Sequence, residues 1–121
     1  MKYLLLIYDD TSAWEKFSDA QRQQGLELYM RFTNELKSSG KYIASNQLHP
    51  ASTAASVRQR DGKRLVTDGP YAETKEQLAG FYMVEVQDLD EARGIAERVP
   101  SAKWGVVEVR AIVERPAQAS A

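Results

Sequence analysis

Residues 2–8 have the sequence KYLLLIY, a short apolar run that Asp9 and Asp10 bring to an end. A strand covered on both faces shows an unbroken run of this kind, whereas a strand with one wet face alternates apolar and polar residues. A second such run, AGFYMVEV, occupies residues 79–86. The two runs therefore predict strands that are buried on both faces.

Capping patterns predict where the helices begin. Ser12 precedes Glu15 by three residues, and Ser18 precedes Gln21 by three. This is the spacing of a capping box, and it predicts a short helical turn followed by a helix over about 19–39. The apolar residues of this helix spread over roughly 200° of its circumference, wider than the ~100° stripe that covers one surface. We therefore expect the helix to contact more than its own sheet.

The remaining elements continue an alternation of strands and helices. Asp88 and Glu91 predict the cap of another helix, and residues 41–48 and 106–113 predict two further strands. Asp61-Gly62 is the dipeptide that most favours a type I′ turn, so it predicts a β-hairpin between the second strand and residues 79–86.

This order of elements predicts an α+β fold, a ferredoxin-like split β-α-β arrangement with an inserted β-hairpin. Two helices cover one face of such a sheet, but its two long apolar strands have two apolar faces. We therefore expect a homodimer in which a second copy covers the open face, giving a dimeric α/β-barrel. The domain is expected to span residues 1–114, followed by a flexible C-terminal tail over 115–121.

Composition limits the function classes. The chain has 43% hydrophobic residues and a formal net charge of −1, so it can bury a core but has no overall attraction for nucleic acid or an anionic membrane. It has no cysteine and one histidine, which excludes disulfides, thiolate catalysis and Cys/His metal sites. No metal or other cofactor is expected. Without a signal peptide or a membrane-spanning run, the sequence predicts a cytoplasmic protein.

A nine-residue stretch, Asp68-Gly-Pro-Tyr-Ala-Glu-Thr-Lys-Glu76, carries a resemblance to a known family. Together with its flanking blocks it resembles the YCII-related family, in the branch named for its DGPF or DGPFAETKE signature. The likeness extends from Met1 to about Val113, and Tyr71 stands where the family usually has Phe. The resemblance implies a ferredoxin-like dimeric α/β-barrel and a gene context beside extracytoplasmic-function sigma factors. The His and Asp pair of some other members does not carry over, because the comparable helix position holds Tyr29.

Two residues at loop ends are candidate catalytic groups. His49 is the only side chain whose ordinary pKa lies near neutrality, so it is the first candidate for general acid–base chemistry. We call residues 68–76 the motif loop. Asp68 begins this loop directly after a strand and would orient His49 or act as its partner base. The alternatives are a partly exposed histidine in a turn and an aspartate that caps backbone amides of the Gly69-Pro70 turn.

The motif loop, the long helix and the last strand supply the candidate binding residues. Tyr71 is expected to stack on or hydrogen-bond to a ligand, Lys75 or Arg110 to bind an anion, and Glu73 and Tyr29 to line the same cleft. A solvated charged loop and an ion pair at a sheet edge are the alternative explanations of these charges.

The leading hypothesis is a small-molecule site that performs or assists proton transfer, such as elimination or isomerisation. Acyl transfer fits less well, because the chain has no cysteine and no Gly-x-Ser-x-Gly motif. The alternative is a non-catalytic regulatory or ligand-sensing protein that binds an extracytoplasmic-function sigma factor. The basic residues around the hairpin turn favour a charged tip over nucleic-acid contact.

Overall fold

A computed structural model describes residues 1–115, and positions 116–121 of the predicted tail lie outside the described residues. The strands and helices follow one another in the predicted order. The strands are β1 (Lys2–Asp9), β2 (Tyr42–Gln47), β3 (Ala55–Arg60), β4 (Lys63–Asp68), β5 (Gln77–Glu85) and β6 (Val106–Ala111). The helices are α1 (Thr11–Lys16), α2 (Asp19–Ser38) and α3 (Leu89–Arg98), and two short 3-10 turns cover Ala51–Thr53 and Pro100–Lys103.

Four of the strands form one antiparallel sheet with the order β2-β5-β1-β6. This order, with α2 and α3 as the two long connections, is that of a ferredoxin-like sheet, and the predicted α+β class is confirmed. Leu5 and Val84 of the sheet are fully buried with Leu36 of α2 and Ile95 of α3 in a single core. Both long helices therefore lie on the same face of the sheet.

On the opposite face of the sheet, residues 1–115 form no covering layer. Along β1, Tyr3, Leu5 and Ile7 are buried, whereas Leu4 and Leu6 are only partly buried. The sequence predicted that β1 is buried on both faces. Within one chain only one face is buried, because α2 and α3 lie on the same side of the sheet. We call the other side the open face; its apolar residues are Leu4, Leu6, Phe81, Met83 and Val106.

The helix starts follow the predicted caps with one exception. Ser18 and Gln21 form the predicted capping box of α2, and Asp88 accepts the Glu91 amide at 2.9 Å at the start of α3. The predicted Ser12 cap of α1 is wrong, because Asp10 is the N-cap and accepts both the amide and the hydroxyl of Ser12. Across residues 1–115 no helix combines the length and apolar content needed to cross a membrane.

Strands β3 and β4 form the predicted hairpin as a separate two-stranded sheet. Asp61 and Gly62 have φ values of 53° and 75°, the positive angles that a type I′ turn requires. The hairpin is exposed along most of its length, and the facing pair Val57 and Val66 is exposed with it. It therefore projects from the sheet as an arm.

Candidate functional site

A carboxylate with an altered pKa lies at the end of the first strand. Asp9 ends β1 opposite Gln77, the first residue of β5, and its side chain is partly buried. Burial raises the pKa of Asp9 above its ordinary value of 3.8, and the negative charges of Asp10 and Glu76 raise it further. The polar side chain of Trp104 lies beside the carboxylate and partly opposes these effects on its pKa. Asp9 is therefore a stronger base than an exposed aspartate.

The hydroxyl of a partly buried tyrosine completes the polar cluster. The hydroxyls of Tyr29 on α2 and Ser101 form a hydrogen bond, and the Tyr29 ring stacks on that of Tyr82 with a centroid distance of 6.5 Å. Burial raises the pKa of Tyr29, and the nearby charge of Asp9 adds to this shift. Tyr29 thus keeps its proton at neutral pH and remains a hydrogen-bond donor. We call Asp9, Tyr29, Ser101 and Trp104 the Asp9 site.

A glycine allows Trp104 to approach Asp9. A Cβ atom on Gly105 would overlap the carbonyl oxygen of Tyr8 and would lie 3.0 Å from the Cβ of Asp9. The Gly105 amide donates to the carbonyl of Ser101 at 2.7 Å, which closes the turn before β6. This close passage of the chain places Trp104 and Ser101 beside the end of β1.

The motif loop is attached to the same end of the sheet. The side-chain amide of Gln77 donates to the carbonyls of Ala72 and Thr74 at 2.7 and 2.6 Å, and the Thr74 hydroxyl donates to the Glu76 carbonyl. Because Gln77 pairs with Asp9, these bonds hold the loop near the Asp9 site. Its Glu76 contributes to the raised pKa of Asp9. The pKa of Asp10 is lowered, mainly by the Ser12 hydroxyl and in part by the positive charge of Lys75.

Of the candidate residues predicted from the sequence, Tyr29 is the one that contributes to this cluster. His49 and Asp68 are exposed, and the hydrogen bonds and ion pairs found within residues 1–115 do not join them. His49 follows β2 where β5 begins, so it lies at the same end of the sheet as Asp9. Asp68 ends β4 in the hairpin arm.

Apart from Tyr29, the predicted binding residues lie in the motif loop and on the open face. Tyr71 is 79% exposed, and the Arg58 guanidinium lies 5.0 Å above its ring. Glu73 and Lys75 are exposed in the motif loop. Arg110 is exposed on the open face, where it pairs with Leu4 of β1. The structure does not bring these four side chains together in one pocket of the single chain.

Sequence reasoning missed Asp9, Ser101 and Trp104 as members of a site. An aspartate directly after a buried strand was the available signal for Asp9, because strand ends often carry functional side chains. Trp104 comes from the other end of the sequence, and only the pairing of β1 with β6 brings it near Asp9. In residues 1–115 no group of three or more carboxylate or imidazole side chains is arranged to hold a metal ion.

The raised pKa of Asp9 predicts a stability difference that depends on pH. The folded state favours the protonated carboxyl, so wild type loses stability as pH rises from 3.8 through the folded pKa. Asp9→Asn has no charge to bury and keeps an acceptor for the Trp104 indole. We therefore expect the free energy of unfolding of Asp9→Asn, minus that of wild type, to increase as the pH rises from acid to neutral. Urea unfolding at several pH values measures this difference, and a constant or falling difference would contradict the prediction.

Comparison with known proteins places the chain in a family. A model of the YCII-related domain matches residues 1–115. An uncharacterized protein of Rhizobium meliloti (strain 1021) is 40% identical over 115 residues, which is 91% of this chain and 90% of the relative. The predicted link to a sigma factor stays a prediction. From Met1 to Arg115, the chain belongs to the YCII-related domain family.

Proposed function

We propose that the protein binds a small organic molecule at the Asp9 site and transfers a proton on it. The observation that carries this proposal is the placement of a partly buried carboxyl group at the end of β1 beside Trp104 and the partly buried Tyr29, and burial raises the pKa of this carboxyl group. General acid–base catalysis near neutral pH needs a group whose pKa is shifted toward the working pH, and perturbed pKa values cluster at functional sites. The pKa of Asp9 is shifted in this direction by burial and by the neighbouring carboxylates of Asp10 and Glu76.

Each residue of the Asp9 site has a role in this mechanism. The Asp9 carboxylate removes a proton from a carbon atom next to a substrate carbonyl and returns it at a second position, which is an isomerisation. The Trp104 indole N–H fixes the orientation of the carboxylate. The Tyr29 hydroxyl, oriented by Ser101, donates a hydrogen bond to the substrate oxygen on which negative charge develops.

The motif loop forms the rim of the site in this proposal, since Gln77 ties the loop to the strand end that carries Asp9. Lys75 and Glu76 then set the charge around Asp10 and Asp9. His49 and Asp68 as an acid–base pair, and Tyr71, Glu73 and Arg110 as ligand contacts, stay predictions from the sequence.

Deuterium exchange tests the proposal without knowledge of the natural substrate. The protein is incubated in D₂O with a panel of small keto acids, unsaturated lactones and cyclic enones, and ¹H NMR follows loss of the signal next to the carbonyl. We expect wild type to catalyse exchange in at least one class and Asp9→Asn to reduce the rate about 100-fold or more, because a positioned base contributes 10²–10⁴-fold.

A matched substitution separates the site from general effects of charge. Asp90 lies on α3 with a side chain that is 89% exposed, and Asp90→Asn makes the same chemical change away from the Asp9 site. Its exchange rate should equal that of wild type. If a panel compound raises the melting temperature but wild type catalyses no exchange, or Asp9→Asn exchanges as fast as wild type, the proposal is wrong.

We also propose that two copies associate through the open face. The support is the set of partly exposed apolar side chains at the centre of the sheet, on β1 and β5. Solvent would otherwise contact a contiguous apolar surface, and such surfaces in soluble proteins usually mark an interface. A dimer of this kind leaves both Asp9 sites on the helix-covered sides of their sheets.

A further inference from the structure

A small groove lies between α2 and the turn that follows α3. Its volume is about 160 Å³, and its apolar lining comes from Leu28, Phe32, Pro100 and Trp104. Phe32 is 4% exposed, whereas Leu28 and Trp104 are 44% and 55% exposed. A cavity of about 150 Å³ with an apolar lining can hold a benzene molecule. The groove therefore has room for one six-membered ring or a short branched chain.

The same groove carries an excess of positive charge. Arg31, Arg98 and Lys103 line it together with one carboxylate, Glu35. Arg98 lies 3.9 Å from Glu35, so this cation and the carboxylate offset one another. Within residues 1–115, Arg31 and Lys103 form no ion pair. In a chain with a net charge of −1, this local surplus of positive charge favours an anionic ligand.

Part of the wide apolar surface of α2 remains exposed to solvent at the groove. Phe32 and Leu36 are the buried residues of the helix, and the partly buried Tyr29 packs against the core beside them. Leu28 lies one turn before Phe32, beside the core-facing surface, and remains exposed. It lines the groove together with Pro100 and Trp104, which lie in or next to the turn after α3. A ligand in the groove would cover apolar surface that the fold itself leaves in water.

We infer that this groove binds a small organic carboxylate whose apolar body lies against Phe32, Leu28 and Trp104. The carboxylate is held by Arg31 and Lys103, which lie at exposed positions beside the apolar lining. Trp104 lines the groove and also lies beside Asp9, so it is common to the groove and the Asp9 site. The groove can bind the carboxylate whether or not the proposed function is correct. The identification of this carboxylate as the substrate rests on the proposed function.

The test uses benzoate as the probe and Trp104 as the reporter. Trp14 is the other tryptophan, and Trp14→Phe keeps an aromatic ring beside Phe17 while leaving Trp104 as the sole indole. We expect benzoate to change the fluorescence of this variant in a saturable way, with a dissociation constant on the order of 1 mM, as for a weakly bound fragment. Benzamide has a similar shape without the charge and should bind at least tenfold more weakly.

Paired charge substitutions locate the site. Arg31→Gln with Lys103→Gln should weaken benzoate binding at least tenfold. Arg60→Gln with Lys63→Gln makes the same change in net charge at the hairpin turn and should leave binding unchanged. All four positions are exposed, so the variants should fold, and thermal melts verify this.

Three results would overturn the inference: a response that does not saturate, equal affinity for benzamide, or equal loss in the two double variants. The outcome is distinct from that of the deuterium experiment. Saturable, charge-dependent benzoate binding with no catalysed exchange in D₂O would support the carboxylate-binding groove. The same result would reject the proposed proton transfer.

Discussion

Met83→Asp is expected to separate the proposed dimer into monomers by raising its dissociation constant about a thousandfold or more. Met83 lies on the open face between Leu4 of β1 and Ala44 of β2, and all three are partly buried in the single chain. In a dimer formed through this face, the substitution places one carboxylate from each copy in an apolar interface. Burying an unpaired charge costs several kcal/mol, and a thousandfold change corresponds to about 4 kcal/mol.

Sedimentation velocity at micromolar concentration measures the change. Wild type should sediment with twice the 13.6 kDa mass of the chain, and Met83→Asp with the mass of one chain. Met30→Asp is the matched control, because Met30 is 63% exposed on α2, the layer on the other side of the sheet. It should remain dimeric. Circular dichroism should show the same helix content in all three proteins, since Met83 is outside the buried core.

An interface of modest area on the open face would be sufficient for this association. If about 600 Å² of apolar surface per chain leaves water, the gross gain is about 15 kcal/mol per chain, which exceeds common estimates for the entropy cost of association. A wild-type protein that sediments as a 13.6 kDa monomer at micromolar concentration would contradict both the sequence-based expectation and the proposal. A dimeric Met83→Asp variant would place the interface elsewhere.

The architecture could be predicted because local signals agreed with the global pattern. The Ser18 capping box, the Asp88 cap and the Asp61-Gly62 turn each act over a few residues, and each is found where the sequence indicates. The Ser12 prediction failed because two acceptors competed for the start of α1. Asp10 bonds the amide and the hydroxyl of Ser12, so the cap lies two residues earlier than the pattern suggests.

The candidate site could not be predicted in the same way, because its properties arise from tertiary structure. His49 was selected for its ordinary pKa, which is a property of the residue type. Asp9 is unremarkable in the sequence, and its pKa is raised by burial and by neighbours that the sheet brings to it. Tyr29 was identified by its place in the helix, but its partner Ser101 lies in a turn near the other end of the chain. Side-chain chemistry alone does not encode such juxtapositions.

The second large effect is expected at Gly105, where an added methyl group should destabilise the fold by about 3 kcal/mol or more. A Cβ at this position would overlap the Tyr8 carbonyl oxygen, which belongs to the backbone of a central strand and cannot rotate away. To relieve the overlap in Gly105→Ala, the start of β6 would have to move away from β1. Trp104 would move with it, away from the Asp9 carboxylate that it lies beside. One methyl group would thus affect both the stability of the fold and the Asp9 site.

Gly94→Ala is the matched control for this prediction, and it should have the opposite sign. Gly94 lies inside α3, and a Cβ there would meet no atom within 4 Å. Alanine at an open helical position stabilises by about 0.5–1 kcal/mol, because glycine loses more backbone entropy on folding. Urea unfolding measures both changes, and the near-UV circular dichroism of Trp104 reports its displacement in Gly105→Ala alone. Equal stabilities of the two variants would mean that β6 does not pass β1 as closely as the Asp9 site requires.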